Sequence, residues 1–343
     1  MKKVVIRGKH SAEIVEVPTP VALKDWALVK ILSAPMCTEY KAYRDGEVSD
    51  FLGHEAAGEV VEVAQPGPVK PGDKVVVMPQ YPCGKCALCR RGDYIHCEHV
   101  IDFDSYSGSP EGKATYAQYL LKPSTLLPKI PGGMSFDHAS MLCCGLGPTY
   151  GAMARMKTNE SHTILITGMG PVGLGGVVNG VSRGARVIVA VHHSYRAELA
   201  KSLGADTVVD HRDPGVVEHI LDLTDGRGVD MSIDCAGTVD AQRLCIASTR
   251  RLGQVSFVGE SGDLSVRISD DLIRNGLILH GIWHYNFNDI PQLFSIVEKH
   301  NDLVQKMITH TFPMSQIREA FDLQLTRECG KVILKPWEGI HGE

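Results

Sequence analysis

The sequence has no surplus of positive charge: Lys and Arg number 35 against 40 Asp and Glu, for a formal net charge of -5 at pH 7. A chain that binds nucleic acid wants a basic field to meet the phosphates, so a nucleic-acid partner is excluded as the working expectation. The chain also lacks any apolar run approaching the roughly 20 residues that span a bilayer, and no membrane partner is expected. Its first residues, Met1-Lys2-Lys3-Val4-Val5-Ile6-Arg7, include basic side chains but no apolar stretch of about 7–15 residues such as a secretory signal carries. A cytoplasmic location follows as an expectation. Internal repeats and low-complexity tracts are missing too. What remains is an ordinary globular composition, 43% hydrophobic and 22% charged over 343 residues. At a soft scale of roughly 150 residues per domain, that is room for two domains.

The first third reads as short strands rich in β-branched residues: Val4-Val5-Ile6, Ala27–Ile31, Gly58–Val63 and Asp73–Val77. Turns such as Gln65-Pro66-Gly67-Pro68 and Lys70-Pro71-Gly72-Asp73 separate them, and a small irregular β-barrel is the economical architecture. From about residue 162 the texture alternates between strands and helices. Thr163–Thr167, Arg186–Val191, Thr207–Val209, Asp230–Asp234, Val255–Val258 and Leu277–Ile282 are strand candidates, and Tyr195–Leu203 is a helix candidate. Six strands with helical crossovers predict a doubly wound parallel sheet, so the fold class is α/β. Towards the end Pro291–Lys299 and Ser315–Leu323 read as helices and Lys331–Leu334 as a strand.

Gly168-Met169-Gly170-Pro171-Val172-Gly173 follows the apolar strand Ile164-Leu165-Ile166 and opens a helix. In that context the first glycine makes a tight turn, the second admits a pyrophosphate to the backbone, and the third allows close helix–strand packing. The second strand ends differently from an NAD site, which usually has Asp or Glu there for the ribose hydroxyls. Here Val187–Val191 runs into His192-His193-Ser194-Tyr195-Arg196. The hydroxyl of Ser194, the cation of Arg196 and the imidazoles suit a 2′-phosphate, so the balance favours NADP over NAD. The alternative is that Arg196 begins a solvated helix and His192 and His193 are loop residues.

Ten cysteines in a chain of this size without an export signal read as metal ligands rather than disulfides. Cys83, Cys86, Cys89 and Cys97 form a C-x2-C-x2-C-x7-C pattern. Four thiolates close a tetrahedral zinc site and leave no position for substrate, so this zinc is structural; an iron–sulfur centre is the rival. A second group is dispersed: Cys37, His54 within Gly53-His54-Glu55, and the doublet Cys143-Cys144. Two thiolates and one imidazole make the type of zinc site that keeps a fourth position open, as an alcohol-oxidising nicotinamide enzyme needs. Singly, each residue is as well explained as a core cysteine or a satisfied histidine.

With these motifs in view, along with Gly53-His54-Glu55-Ala56-Ala57-Gly58 and the closing Gly330-Lys331-Val332-Ile333-Leu334, the chain resembles the medium-chain zinc-containing alcohol and polyol dehydrogenase family over essentially its full length. The resemblance implies a GroES-like β-barrel catalytic domain of residues 1–147 and 283–343, and a Rossmann domain of residues 148–282. It implies two zinc ions per chain, the catalytic one on Cys37, His54 and Cys144 with Glu55 close by. Cys143 stays open as an alternative to Cys144, and Glu55 as an alternative ligand. Lys331 joins the glycine turn among the cofactor-binding residues. The implied reaction moves a hydride between a small-molecule alcohol and NAD(P) to give an aldehyde or ketone, in a homo-oligomer, a tetramer over a dimer.

One departure bears on the proton relay. Relatives generally place Ser or Thr two residues after the first cysteine, with a histidine a few residues on; here the order is Cys37-Thr38-Glu39-Tyr40, with Ala42 near the histidine position. Either Thr38 or Glu39 takes the role, and Glu39 is the working choice, against a plain solvated glutamate. Two other readings stand beside this one: a zinc-free quinone or enoyl reductase of the same fold, and a non-catalytic dinucleotide-binding protein with structural zinc only.

Overall fold

The computed structural model describes residues 1–339, so the last four residues of the expected catalytic domain lie outside the described residues. The chain divides into two compact units, one of residues 1–143, 286–298 and 308–343, the other of residues 144–285 and 299–307.

In the first unit the organising strand is Trp26–Pro35, buried along most of its length. It pairs antiparallel with Ala56–Val63, with Tyr119–Pro123 and, through Ala34 and Pro35, with Lys331–Lys335 near the chain end. Lys74–Val77 extends this sheet beyond Ala56–Val63, and Ile308–Pro313 runs parallel to Lys331–Lys335 at the other edge. Lys2–Gly8 and Ser11–Glu16 form a separate hairpin. Val4, Ile6, Val29, Ile31, Val60, Val75, Val77, Val332 and Leu334 share one core, closed by Ile317 and Phe321 of the helix Ile317–Thr326. The β-branched residues that mark these strands in the sequence are thus the ones that fill the space between them.

The second unit holds a six-stranded parallel sheet in the spatial order Ile278–Gly281, Thr249–Phe257, Val229–Asp234, Thr163–Thr167, Arg186–Ala190, Thr207–Val209. The strand order reverses between Thr163–Thr167 and Val229–Asp234, the point where such sheets open a crevice for a dinucleotide. The central strands are continuous apolar runs such as Ile164-Leu165-Ile166 and Val187-Ile188-Val189, each residue at most 1% exposed. That is the pattern of strands covered on both faces.

Two differences from the sequence reading have physical causes. The strand expected at Val255–Val258 begins at Thr249, because a register irregularity opposite Val229–Met231 and a left-handed Leu252 (φ +60°) break its alternation. Ile308–Pro313 was not expected as a strand; its sequence, Ile-Thr-His-Thr-Phe-Pro, is polar because it lies at a sheet edge and is only partly covered. Among the described residues no helix is long and apolar enough to cross a membrane.

Candidate metal and cofactor sites

The four-cysteine loop closes on itself. One ligand atom from each of Cys83, Cys86, Cys89 and Cys97 lies within 4.8 Å of all the others. Backbone amides are aimed at the sulfurs: Cys83 N–H donates to Cys97 Sγ (3.2 Å), Cys86 N–H to Cys83 Sγ (3.4 Å), and Cys89 N–H to Cys86 Sγ (3.5 Å). Such donors favour thiolate over thiol, and those from Cys89 and Glu98 bring the Cys86 thiol down to about 6. The donor set fits a closed tetrahedral zinc site. Behind it the loop is docked on residues 286–288: Asn286 Nδ2 donates to Arg91 O (2.9 Å) and Asp93 Oδ1 (2.8 Å), and Phe287 N–H to Gly92 O (2.9 Å).

The dispersed residues also meet. Ligand atoms of Cys37, His54, Glu55 and Cys144 all lie within 4.8 Å of one another. Cys37 follows the long strand Trp26–Pro35, and His54 precedes Ala56–Val63, so two paired strands deliver the first two donors. The turn before His54 needs glycine: Gly53 has φ +83°, and a Cβ there would lie 2.3 Å from Thr115 Oγ1 and 2.4 Å from the Tyr116 ring. Cys143 is fully buried and its Sγ is directed at Val77 O (3.4 Å), a position within the core rather than in the cluster.

His54 is oriented by a carboxylate. Glu39 Oε1 lies 2.8 Å from His54 Nδ1, leaving Nε2 for the cluster. Glu39 Oε2 accepts from the Tyr116 hydroxyl (2.9 Å) and from the Cys37 amide (3.1 Å). Burial works against the Glu39 charge, but the hydrogen bond and charge of His54 outweigh it and hold the carboxyl down at about 2. Glu39 is therefore not the solvated loop residue that its sequence context allowed. Thr38, by contrast, is exposed.

Lys331 is fully buried, and its Nζ donates to Glu55 Oε1 at 2.6 Å. Burial pushes Glu55 up to about 7 while Lys331 pulls the other way. Removing one partner of such a buried pair typically costs about 3–5 kcal/mol. Tyr116 and the Glu55–Lys331 pairing had no signal in the sequence, since each joins segments far apart in the chain.

At the glycine turn Gly168 has φ +80°, and a Cβ on it would meet the Ala236 backbone N at 2.5 Å. Gly173 would meet Gly168 O at 2.0 Å, whereas a Cβ on Gly170 has nothing within 4 Å. The first and third glycines are thus required by packing, and the second faces open space at the start of the helix Pro171–Ser182, where Pro171 and Val172 lead the first turn. Open backbone at a helix N-terminus is the kind of place where an anion can be received. The opposing turn is locked by Asp234, unnoticed in the sequence: its Oδ1 accepts from the Thr167 hydroxyl (3.0 Å), Ala236 N–H (2.9 Å) and Gly237 N–H (3.3 Å). At the ribose end, His192 and His193 leave the second strand and Ser194 and Arg196 fall in the first turn of the helix Ser194–Ser202.

Comparison with known proteins bears on the family. Residues 23–132 match the alcohol dehydrogenase GroES-like domain, and residues 171–299 match the zinc-binding dehydrogenase family. Sorbitol dehydrogenase of Bacillus subtilis (strain 168) is 29% identical over 352 residues, covering 98% of this chain and 97% of that one. L-threonine 3-dehydrogenase of Pyrococcus horikoshii is 30% identical over 340 residues, covering 94% and 95%. Among solved structures, an alcohol dehydrogenase from Escherichia coli CFT073 complexed with the cofactor NADH superposes with a TM-score of 0.81 at 25% identity, covering 98% of this chain and 99% of that chain. Motifs, site geometry and full-length relatives lead to one conclusion: the chain belongs to the medium-chain zinc-containing alcohol and polyol dehydrogenase family.

Proposed function

We propose that this protein is a zinc-dependent oxidoreductase that moves a hydride between a small-molecule alcohol, a secondary alcohol or polyol, and NAD(P), giving the ketone or aldehyde. The observation that carries this reading is the convergence of Cys37, His54 and Cys144, with Glu55, on one point. Zinc bound there supplies Lewis acidity to the substrate oxygen, and the nicotinamide cofactor is the hydride partner. Cys37, His54 and Cys144 would hold the ion, their two thiolates offsetting its charge. Glu39 and Tyr116 fix the imidazole so that Nε2 faces inward, the arrangement that sets tautomer and basicity in metal sites. Glu55, charge-balanced by Lys331, stands beside the ligands as a further carboxylate. With Glu39 occupied, Thr38 is the better placed group to pass a proton to solvent.

The four-cysteine loop would hold a second, structural zinc. The glycine turn Gly168–Gly173 would bind the diphosphate, and the missing carboxylate after the second strand, with His192, His193, Ser194 and Arg196 in its place, favours NADP over NAD. Residues 1–147 and 283–343 would serve catalysis and residues 148–282 the cofactor, in a cytoplasmic homo-oligomer, a tetramer over a dimer. Metal analysis of the purified protein followed by a spectrophotometric screen of alcohols and carbonyls against NAD and NADP tests the reading. About two zinc ions per chain and cofactor-dependent turnover are expected. A metal-free protein that reduces quinones or enones would replace it with the zinc-free reductase, and zinc without turnover with the non-catalytic binding protein.

A further inference from the structure

The second and third strands of the parallel sheet end side by side: Val191 N–H donates to Val209 O at 2.9 Å. Two short segments therefore leave the sheet together, His192-His193 from one strand and Asp210-His211-Arg212 from the other. Their rings touch. The centroid of His192 lies 3.8 Å from that of His193 and 4.7 Å from that of His211. The one carboxylate of the third segment is already engaged, since Asp210 accepts from the Arg212 amide (2.9 Å) and its guanidinium (3.2 Å). His192 Nδ1 is buried without a hydrogen-bond partner among the described residues. His193 is the N-cap of the nine-residue helix Ser194–Ser202.

His192 is packed against both other rings, so a charge on it would stand close to His193 and His211. Burial first, then His193, His211 and Arg212, hold the His192 imidazole below its ordinary range, with only Asp210 opposing. A dianion placed among these groups reverses the balance, because every proton taken up is then an attraction. A ribose hydroxyl offers no such compensation. We propose that His192, His193 and His211, with Arg212, form a proton-coupled receptor for the 2′-phosphate of an adenine dinucleotide, so that discrimination against the unphosphorylated cofactor grows as pH falls. The inference rests on the reading that the cofactor lies along the Gly168 turn and is NADP. It adds the arm from the third strand and makes cofactor choice a function of pH.

Calorimetric titration of the holoprotein with adenosine 2′,5′-bisphosphate and, in parallel, with 5′-AMP separates the two ideas without any assay of turnover. Measured in buffers of different ionisation enthalpy near pH 7, in the imidazole range, the bisphosphate is expected to bind with net proton uptake and 5′-AMP without it. From about pH 7 to about pH 8 the affinity ratio of the two should fall by up to roughly tenfold, as one linked proton requires. His192→Asn and His211→Asn should each reduce the uptake and flatten the ratio, with an unchanged circular dichroism spectrum reporting an intact fold. Tighter binding of the bisphosphate with no proton uptake, or with uptake unchanged in both variants, would overturn the imidazole receptor and leave the NADP reading standing. A bisphosphate that binds no better than 5′-AMP at any pH would remove the NADP reading itself, and this inference with it.

Discussion

The two thiolate clusters are built from similar donors in opposite ways. Cys83, Cys86, Cys89 and Cys97 sit within one loop, satisfy one another with their own backbone amides, and present four sulfurs and nothing else. Cys37, His54, Glu55 and Cys144 come from segments up to about a hundred residues apart, and each is set by a group from elsewhere: Glu39 and Tyr116 for His54, Lys331 for Glu55, the core for the turn that carries Cys144. A local cluster needs only its loop and stabilises that loop in return. A dispersed cluster needs the whole fold first, and in exchange mixes donor types. Closed sites serve structure and open ones serve chemistry for this reason.

The sharpest way to break the comparison is to remove one ligand from each cluster. Cys144→Ser is expected to bring turnover to background while zinc content falls from about two ions to about one and the circular dichroism and cofactor binding stay as in the wild type. Cys86→Ser should show the converse, a lower unfolding midpoint and poor solubility, because metal binding in such loops is itself folding free energy. Equal loss of fold in both variants would erase the distinction. A smaller effect tests how the imidazole is held. Glu39→Gln is expected to lower activity or zinc affinity by about 10–100-fold, and Tyr116→Phe by less, as outer-sphere partners of ligating histidines do. If Glu39 relayed the proton instead, its Gln variant would bind zinc normally and lose only the acidic limb of the pH–rate profile.

The smallest expected effect lies outside both clusters and checks that the core around them behaves ordinarily. Lys122 is buried, its Nζ donates to Gln80 O at 2.8 Å and lies 3.9 Å from the centre of the Tyr81 ring. Burial pulls its ammonium down to about 7. An unfolded lysine keeps its proton to about pH 10.4, so between the two values the unfolded chain binds more protons and stability rises with pH. The contribution is fully present above the unfolded value and lost as pH falls through about 7. Lys122→Met should flatten that rise in denaturant midpoints relative to the wild type; parallel curves for the two proteins would show that Lys122 stays charged in the fold.

Much of this was legible in the residues. The glycine turn could be read from its spacing after an apolar strand, and the structure shows collisions for a side chain at Gly168 and Gly173 and open space at Gly170. Inner strands such as Thr163–Thr167 and Arg186–Ala190 announced themselves by doubly buried apolar runs, and the four-cysteine loop by its spacing. Glu39 shows the limit. Its neighbours in sequence are polar and it reads as a solvated loop residue or a relay, yet it is fastened to Tyr116, 77 residues later, and to His54. Lys331 shows the same limit: nothing beside it in sequence tells that its Nζ donates to Glu55, 276 residues earlier. His211 and Arg212 went unremarked, although they stand after the third strand as His192 and His193 stand after the second.

The sequence by itself determined most of the elements, the four-thiolate loop, the glycine turn and the reaction class, because each is written in local spacing or in the pattern of apolar residues. Only the tertiary structure decided which of two adjacent cysteines joins Cys37 and His54, which carboxylate orients the imidazole, and which lysine balances Glu55. Those choices depend on where side chains from distant strands point once the core is packed, and a buried charge takes whichever partner packing leaves within about 3 Å of it.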